Sequence, residues 1–270
     1  MAQAHKNILV LKFGGAAVSS PERFGEIAQI IKARLATGTR LVVVVSAMGD
    51  STDELIALAK KVHPKPPERE LDMLISVGER ISISLLAMAL ERVGLRGVSL
   101  TGSQSGIITN DAHTNAKIRE VRPQRILKIL EQDKIPIVAG FQGMCLETGD
   151  ITTLGRGGSD TTAVALAAAL HAKQVEFFKD VEGIFDKDPK ADACARKHDH
   201  LTFTEAHLIT LAGAQVLQPR CIAIARDNLI PLWVLPFQSI SSDPCAPTGT
   251  WIGMEECSLR NPSAKPVFEK

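Results

Sequence analysis

The sequence has no tyrosine and little aromatic content, with aromatic residues making up 4% of its 270 residues. A phenol is therefore excluded as a catalytic acid. The formal net charge is only +1, so neither nucleic acid nor an anionic membrane is expected as a partner. The five cysteines are an odd number without a CxxC spacing, and the seven histidines are scattered. A disulfide framework and a metal site built from these residues are therefore not expected.

Membrane and targeting segments are also lacking. No apolar run is expected to reach the length of a membrane span. The first residues, Met1–Asn7, are polar and lead into a predicted strand, so no signal peptide is recognised. Because unpaired cysteines suit a reducing compartment, we expect a cytoplasmic protein.

Apolar runs of strand length alternate with stretches of helical spacing. Asn7–Lys12 and Arg40–Ser46 predict buried strands, and the helix between them has Pro21 at its first position. Ile135–Ala139 and Gln174–Lys179 predict further strands of the same kind. This alternation predicts an α/β fold of three layers, α/β/α, around a central, mainly parallel sheet of about eight strands.

Other segments give less regular patterns. Residues 68–93 predict a long helix that is interrupted near residues 76–79. Ile107–Thr109 and Ile118–Val121 predict short, more exposed strands. Leu232–Leu235 is predicted to be the last strand of the core.

The stretch Thr152–His171 holds the densest group of glycines, hydroxyls and charges. Its loop contains three glycines, which are Gly155, Gly157 and Gly158. Glycines let backbone N–H groups converge on one spot, a helix start adds a positive dipole end, and Arg156 can hold a carboxylate with two parallel hydrogen bonds. Ser159 or Asp160 is predicted to cap the helix that follows. The pattern favours an anion-binding loop over the alternative of an ordinary tight turn before a core helix.

Most of the charged segments directly follow a predicted strand. In an open α/β sheet the carboxyl ends of the strands form the ligand crevice. The charges expected there are Lys12, Arg156, Lys179, Lys187 and Lys190, with Glu79, Asp160 and Asp180. Such a crevice suits an anionic ligand bound with Mg²⁺, as phosphoryl transfer requires. The P-loop, the dinucleotide-binding GxGxxG and the GxSxG nucleophile elbow do not occur in the sequence.

Six motifs occur in the order and spacing of aspartate kinases. They are Lys12–Gly15 (KFGG), Ser46–Glu54 (SAMGDSTDE), Gly78–Arg80 (GER), Ala139–Gly143 (AGFQG), Thr152–Thr162 (TTLGRGGSDTT) and Asp180–Gly183 (DVEG). Over residues 7–253 the sequence therefore resembles the aspartate kinase family. The resemblance implies an amino-acid-kinase fold with a catalytic domain over residues 1–253 and a C-terminal tail over residues 254–270. The N-terminal part would bind the amino acid, and residues from about 172 onward would bind the nucleotide.

The resemblance also implies an activity and its residues. ATP and L-aspartate would be the substrates, 4-phospho-L-aspartate the product and Mg²⁺ the cofactor, in the first step toward lysine, threonine and methionine. The implied catalytic residues are Lys12 and Asp160. The implied aspartate site comprises Ser46, Thr52, Glu79, Arg156, Gly157, Gly158 and Ser159. The implied ATP site comprises Lys12, Phe13, Gly14, Gly15, Phe178, Lys179, Asp180, Ile184, Phe185, Asp186, Lys187, Asp188, Pro189, Lys190 and Gln215. No metal ligand is assigned to the chain itself, and a homodimer is implied.

The roles of these residues follow from their charges. The attacking carboxylate is already ionised at pH 7, so no general base is needed. Arg156 would hold the α-carboxylate and Glu79 the α-ammonium, while Lys12, oriented by Asp160, would offset charge on the phosphoryl group. Two plainer alternatives remain, in which Glu79 is a solvated helix residue and Thr52 is only a helix cap.

The sequence departs from the family pattern on the nucleotide side. Ala16-Ala17 replaces a hydroxyl pair, Phe178-Lys179 replaces a tyrosine and a hydroxyl residue, Phe185-Asp186 replaces Tyr-Thr, and Gln215 replaces a phosphate-contacting lysine. Lys179 or Lys187 is a candidate to supply the missing charge; alternatively, both solvate the rim. Three hypotheses stay open: an aspartate kinase, a catalytically weak paralogue that binds aspartate or a nucleotide as a regulatory partner, and a kinase of the same fold for another carboxylate.

Aspartate kinases usually carry C-terminal ACT domains that bind end-product amino acids. The residues that follow the last predicted strand are too few for one such domain. The chain as given is therefore expected not to respond to lysine or threonine.

Overall fold

The computed structural model describes residues 7–187, 189, 192, 194–214, 216–237, 249–254 and 266–269. These residues include eight α-helices and fourteen strands. The helices are α1 (Pro21–Leu35), α2 (Ser51–Val62), α3 (Glu68–Ile75), α4 (Val77–Arg92), α5 (Gln124–Leu130), α6 (Gly158–Ala169), α7 (Phe203–Leu211) and α8 (Pro219–Asp227). The strands are β1 (Ile8–Phe13), β2 (Arg40–Val45), β3 (Gly97–Leu100), β4 (Ile107–Thr109), β5 (Ile118–Val121), β6 (Ile135–Ala139), β7 (Gln142–Cys145), β8 (Ile151–Thr153), β9 (Val175–Lys179), β10 (Ile184–Phe185), β11 (Lys197–His198), β12 (His200–Thr202), β13 (Leu232–Pro236) and β14 (Thr250–Gly253). A short 3-10 helix, Gly15–Val18, follows β1.

Eight of the strands form one central sheet in the order β12-β14-β13-β9-β1-β2-β6-β3. All neighbouring strands are parallel except β13 and β14. The inner strands are buried on both faces, which is why β1 and β2 are nearly continuous apolar runs in the sequence. The predicted fold class, a mainly parallel sheet of about eight strands between helices, is confirmed.

The central sheet separates two hydrophobic layers. Ile8 and Val10 of β1 pack with α5, α6 and α8 on one face. Leu9 and Leu11 pack with α1 and α4 on the other face. Because successive side chains of a strand point to opposite faces, Lys12 belongs to the face that carries α6. The register of β1 therefore directs this lysine toward the first turn of that helix.

A second sheet of four strands, in the order β5-β4-β7-β8, was not predicted. Two of its strands, β7 and β8, lie in stretches rich in glycine and hydroxyl residues, which are typical of loops. The expectation that Ile107–Thr109 is exposed is wrong, because β4 is an inner strand of this sheet and all three residues are buried. Ile118–Val121 has two exposed residues at its centre, as expected.

Two predicted boundaries are also wrong. Helix α6 begins at Gly158, after Gly157 in the left-handed conformation with φ 69°, so neither Ser159 nor Asp160 is the cap. Glycine adopts that conformation without steric cost, and no side-chain cap is needed. Leu232–Leu235 is not the last strand of the core, because β14 pairs with β13. The predicted interruption of the long helix is confirmed, since α3 and α4 meet at Ser76.

One helical stretch, Glu68–Arg92, is long and apolar enough by composition to cross a membrane, contrary to the expectation from the sequence. The fold accounts for its hydropathy. Helix α4 packs against α1, β3 and β6, and Leu86 and Leu90 are fully buried. The stretch also buries two carboxyl groups, those of Asp72 and Glu79. It is thus a core helix pair of this domain.

The four described residues near the C-terminus, 266–269, pack against the domain. Phe268 contacts the hydrophobic layer on the α6 side. Glu269 forms an ion pair with Arg220 of α8. The Arg220 guanidinium also donates a hydrogen bond of 2.8 Å to the carbonyl oxygen of Leu154, just before the glycine loop.

A buried carboxylate, Asp72, connects α3 to the second sheet. It accepts hydrogen bonds from the hydroxyl of Thr153 at 2.6 Å and from the N–H of Thr114 at 3.0 Å. Nδ1 of His113 lies 2.9 Å from the same carboxylate. Gly155 packs closely against Thr114, since a Cβ at Gly155 would lie 3.1 Å from the carbonyl oxygen of Thr114. By holding Thr114, Asp72 therefore also supports the loop around Arg156.

We expect Asp72→Ala to lower the free energy of unfolding by about 3 kcal/mol or more, because several buried donors would lose their acceptor. Urea denaturation of the purified protein measures the change. Glu70→Ala on the same helix is the matched control, since Glu70 is exposed and should contribute less than about 1 kcal/mol. Equal effects of the two substitutions would contradict the assigned role of Asp72.

Candidate functional site

Two lysines from neighbouring strands share one buried carboxylate. Nζ of Lys12, in β1, lies 2.5 Å from Oδ1 of Asp160, and Nζ of Lys179, the last residue of β9, lies 2.8 Å from Oδ2. Asp160 lies in the first turn of α6. Lys12 and Asp160 are each 4% exposed. The cluster therefore places two positive charges and one negative charge at the carboxyl ends of β1 and β9.

The charge states of this cluster follow from competing effects. Burial alone would raise the pKa of Asp160, but Lys12 and Lys179 together outweigh burial and lower that pKa below its usual value. Asp160 is therefore a carboxylate at neutral pH. Burial lowers the pKa of Lys12; Asp160 opposes this shift and the neighbouring Lys179 adds to it. The two lysines thus depend on a single counter-ion.

Glycines bring backbone segments close to the Lys12 ammonium. A Cβ at Gly14 would lie 3.6 Å from Nζ of Lys12. A Cβ at Gly15 would lie 3.3 Å from the carbonyl oxygen of Ala47 and 3.2 Å from that of Gly49. The N–H of Gly49 donates a hydrogen bond of 3.2 Å to the carbonyl oxygen of Gly15. The ends of β1 and β2 are therefore joined beside the lysine, with little side-chain bulk around it.

Glu79, near the start of α4, is a buried carboxyl group with an unused oxygen. Its Oε1 accepts a hydrogen bond of 3.2 Å from the N–H of Ala47, while Oε2 has no partner among the described residues. Burial raises the pKa of Glu79 to about 8, and backbone hydrogen bonds and the charge of Lys12 oppose that shift only in part. A buried acceptor without a donor is costly, so the site favours a ligand that supplies one. At 2% exposure, Glu79 is not the solvated helix residue of the plainer alternative.

Close packing brings two more predicted residues to the same place. A Cβ at Gly78 would lie 2.7 Å from Cβ of Ala47 and 4.0 Å from Oγ1 of Thr52. Asp50, and not Thr52, occupies the cap position of α2, so Thr52 is not simply a helix cap. Ser46 donates its N–H to the carbonyl oxygen of Phe13 at 3.1 Å. Ser46, Thr52 and Glu79 therefore border one segment of backbone.

Arg156 lies exposed in the loop that precedes α6. Gly155 and Gly157 on either side have φ values of 74° and 69°, a conformation that favours glycine. Within the described part of the chain, no hydrogen bond or ion pair is found for the Arg156 guanidinium. A Cβ at Gly140 would lie 2.6 Å from Cβ of Ser159, so this glycine lets the start of α6 approach the end of β6. The loop thus presents an unpaired guanidinium near the Asp160 cluster.

Two of the predicted nucleotide-binding residues turn their side chains away from the crevice. Phe13 and Phe178 are fully buried, and their rings stack with centroids 4.6 Å apart. Strand alternation requires this, since Lys12 and Lys179 occupy the opposite face. Only backbone groups of the two phenylalanines border the crevice, as in the 3.5 Å hydrogen bond from the N–H of Gly14 to the carbonyl oxygen of Phe178.

The other predicted nucleotide-binding residues follow β9. Asp180 is exposed, and Ile184–Phe185 forms β10, which pairs with β11 in a hairpin. Oδ1 of Asp186 accepts a hydrogen bond of 2.8 Å from the N–H of Arg196. Lys187 is exposed and pairs with Asp192 at 2.9 Å, so it is not brought to the Asp160 cluster. Pro189 is exposed; the positions outside the described residues are Asp188, Lys190 and Gln215.

Three further residues, for which the sequence predicted no role, support the site. Ala47 provides the N–H that holds Glu79, Gly140 makes room for Ser159, and Asp72 supports the Arg156 loop through Thr153 and Thr114. The signal available for the first two was their position directly after a buried strand, inside a motif. Their side chains carry no functional group, so the residue types alone do not indicate a role in the site.

A lysine from the first strand, a carboxylate at a helix start and a glycine loop before that helix together line a crevice at the carboxyl ends of an open α/β sheet. The model of the amino acid kinase family matches residues 7–236, and the chain belongs to this family. Among its similar relatives are aspartokinases. The aspartokinase of Mycobacterium tuberculosis is 52% identical over 227 residues, which are 84% of this chain and 54% of the relative. The aspartokinase of Corynebacterium glutamicum is 48% identical over 237 residues, 88% of this chain and 56% of the relative.

Solved structures give the same picture. Aspartate kinase from Synechocystis superposes with a TM-score of 0.82 at 40% identity, covering 97% of this chain and 42% of that one. Escherichia coli aspartokinase III in complex with aspartate and ADP superposes with a TM-score of 0.81 at 27% identity, covering 92% of this chain and 65% of that one. UMP kinase from Bacillus anthracis, at 19% identity and a TM-score of 0.68, shares the fold. The chain spans about half the length of the curated relatives it matches.

We expect Glu79→Gln to stabilise the unliganded protein, and increasingly so as the pH rises. The pKa of Glu79 is about 8 in the folded state against 4.5 ordinarily, so between these values the folded protein keeps a proton that the unfolded chain has lost. Wild-type stability therefore falls as the pH rises toward 8, and glutamine removes that fall. The gain should reach the order of 5 kcal/mol at pH 8.5.

Urea unfolding between pH 4.5 and pH 8.5 measures this difference. Glu91→Gln is the matched control, because Glu91 is exposed near the end of the same helix and its effect should vary little with pH. A Glu79→Gln effect that is independent of pH would contradict the raised pKa.

Proposed function

We propose that this chain is the catalytic domain of an aspartate kinase, which transfers the γ-phosphoryl group of ATP to the side-chain carboxylate of L-aspartate to give 4-phospho-L-aspartate. The observation that carries the proposal is the unpaired Oε2 of buried Glu79 within electrostatic reach of Lys12. Such a site offers an acceptor for an ammonium group beside cations for anionic groups. The proposal is supported by the aspartokinase relatives and by the related structure solved with aspartate and ADP.

The amino acid would be recognised by its opposite charges. Glu79 would accept hydrogen bonds from the α-ammonium. Its carboxyl group would lose its proton when the amino acid binds. Arg156 would hold the α-carboxylate in a bidentate contact, and Gly157 and Ser159 would add backbone donors and the helix dipole. The N–H of Gly158 already donates a hydrogen bond of 3.0 Å to the carbonyl oxygen of Gly155, so Gly158 would line the site without donating to the ligand. Thr52 and Ser46 border the same space. The side-chain carboxylate would then be free to face the lysine cluster.

The reaction requires the protein mainly to position the two substrates and to supply positive charge. An oxygen of the ionised aspartate side chain forms a bond to the γ-phosphorus as the bond to the β–γ bridging oxygen breaks, and ADP leaves with that electron pair. No proton is transferred, so no general base is required. Lys12 would stabilise the charge that spreads over the phosphoryl oxygens. Asp160 would hold Lys12 in place and keep it protonated.

Mg²⁺ would accompany the nucleotide and supply further positive charge to its phosphates. The donor set of the crevice fits a metal held mostly by the substrate. Both oxygens of Asp160 contact lysines, and one oxygen of Asp186 accepts a backbone hydrogen bond. Asp180 is the exposed carboxylate at the end of β9 that could add one ligand. Mg²⁺ commonly keeps several waters and binds through substrate phosphates with one or two carboxylates.

Three finer assignments belong to the same proposal. The reaction would be the first step toward lysine, threonine and methionine, in the cytoplasm. The chain would act as a homodimer, the commonest form of soluble oligomer. Ile81 and Met88, which are 50% and 65% exposed on α4, offer an apolar surface for that contact. The expectation that the chain does not respond to lysine or threonine remains a prediction.

Release of ADP from Mg-ATP, coupled to a spectroscopic readout, tests the proposed reaction. We expect turnover with L-aspartate and much slower turnover with L-glutamate, D-aspartate and succinate. Faster turnover with another carboxylate would replace aspartate as the substrate. Binding of aspartate or ATP without any turnover would favour the regulatory paralogue instead.

We expect Arg156→Ala to weaken aspartate binding about 10- to 150-fold, because it removes a charge-assisted bidentate contact of about 1.5–3 kcal/mol. Calorimetry with aspartate and, separately, with ATP measures the effect, and ATP binding should change much less. Arg122→Ala is the matched control, since Arg122 is an exposed arginine paired with Glu120. Equal weakening of both ligands by Arg156→Ala, with the fold intact, would count against the assignment.

A further inference from the structure

Lys179 gives the crevice one more positive charge than its carboxylate can balance. The Lys179 side chain is only 16% exposed, and Asp160 is already paired with Lys12. Two ammonium groups and one carboxylate carry a net charge of +1 in a place where both Lys12 and Asp160 are almost completely buried. Burying an unbalanced charge is costly. A structural ion pair would need one lysine, so the second calls for another explanation.

The two lysines are placed by the register of the central sheet. Lys12 of β1 lies opposite Phe177 of β9, and Lys179 is two residues further along, on the same face as Phe177. Both side chains therefore emerge on the face that carries α6, where Asp160 lies. Each ammonium has three N–H donors. Among the described residues, Lys12 forms an ion pair with Oδ1 of Asp160, and Lys179 donates a hydrogen bond to Oδ2. The cluster therefore keeps free donors on two cations for an anion at the carboxyl ends of the strands.

Lys187, the other candidate for this role, is differently placed. Its ammonium is 2.9 Å from Asp192, and its side chain is 60% exposed. That charge is balanced at the surface of the hairpin that follows β9. Lys179, in contrast, shares its counter-ion with Lys12.

We propose that Lys179 is a second catalytic cation, which contacts the transferring phosphoryl group together with Lys12, with Asp160 setting the separation of the two ammonium groups. This proposal rests on the proposed phosphoryl transfer. As negative charge moves from the γ-phosphoryl group to the bridging oxygen of the leaving ADP, two cations held by one carboxylate stabilise both ends of that shift without moving. The anion that they receive also balances the excess charge of the unliganded cluster.

The test compares Lys179→Met, Lys179→Arg and Lys187→Met. Methionine keeps the length and apolar stem of lysine but removes the charge, and arginine keeps the charge. We expect Lys179→Met to lower kcat by about 10²- to 10⁴-fold, somewhat less than the loss of an arginine finger can cause. KM for aspartate should stay within about threefold of the wild-type value. Lys179→Arg should recover part of kcat, and Lys187→Met should lower kcat at least about tenfold less than Lys179→Met, because the Lys187 ammonium is paired with Asp192 at the surface.

A second readout does not depend on turnover. Lys179→Met should weaken binding of the non-hydrolysable β,γ-imido analogue of ATP at least about tenfold more than binding of ADP, because the lost cation faces the γ-phosphoryl group. A residue with only a structural role would weaken both nucleotides alike. If Lys179→Met does not fold, Lys179→Gln, which can still donate to Asp160, replaces it in both measurements.

The outcomes separate this proposal from the one on which it rests. Turnover of aspartate by wild type with an unchanged kcat in Lys179→Met would overturn the role of Lys179 and leave the kinase assignment standing. A loss in Lys187→Met and not in Lys179→Met would do the same. Equal weakening of ADP and the imido analogue would also overturn it. An absence of wild-type turnover with aspartate, accompanied by the expected nucleotide discrimination, would support Lys179 while rejecting aspartate as the substrate.

Discussion

The structure depends on one carboxylate that holds two cations in a place that water scarcely reaches. Asp160, in the first turn of α6, joins this helix to β1 and β9, two strands that are also paired with each other in the central sheet. Because its pKa lies below the usual value, this connection persists at neutral pH, and the start of α6 favours the negative charge. Neither lysine would be tolerated there as an isolated charge. The fold and the charges of the crevice are therefore parts of one arrangement, in which the sheet register positions the lysines and the helix supplies their counter-ion.

The sequence predicted the elements whose signals are local and strong. The apolar runs of β1 and β2 are read directly because inner parallel strands are buried on both faces. Pro21 lies at the first position of α1, where a proline is well accommodated because the missing N–H would be unpaired there in any case. Strands β7 and β8 escaped prediction, although they are no shorter than β4 and β5, because they lie in stretches rich in glycine and hydroxyl residues that are typical of loops. The burial of Ile107 is a tertiary effect, because β4 lies between β5, which was predicted, and β7, which was not.

The candidate site was predictable in its residues and not in its pairings. Lys12, Glu79 and Arg156 were found because charged residues inside glycine-rich motifs have few structural uses. Phe13 lies in the same motif, yet strand alternation turns its ring into the core, so a motif by itself does not say which atoms face a ligand. That Lys179 and not Lys187 reaches Asp160 depends on the register between β1 and β9. Register is set by the whole sheet, and no local pattern encodes it.

The packing of residues 266–269 has a practical consequence for handling the protein. Glu269 neutralises Arg220, whose guanidinium also holds the carbonyl oxygens of Leu154 and Ala116. An affinity tag or a fluorophore attached to Glu269 would disturb this ion pair, whose guanidinium is hydrogen-bonded to the backbone that leads into the glycine loop. Labels placed there would report on, and disturb, the same loop that presents Arg156.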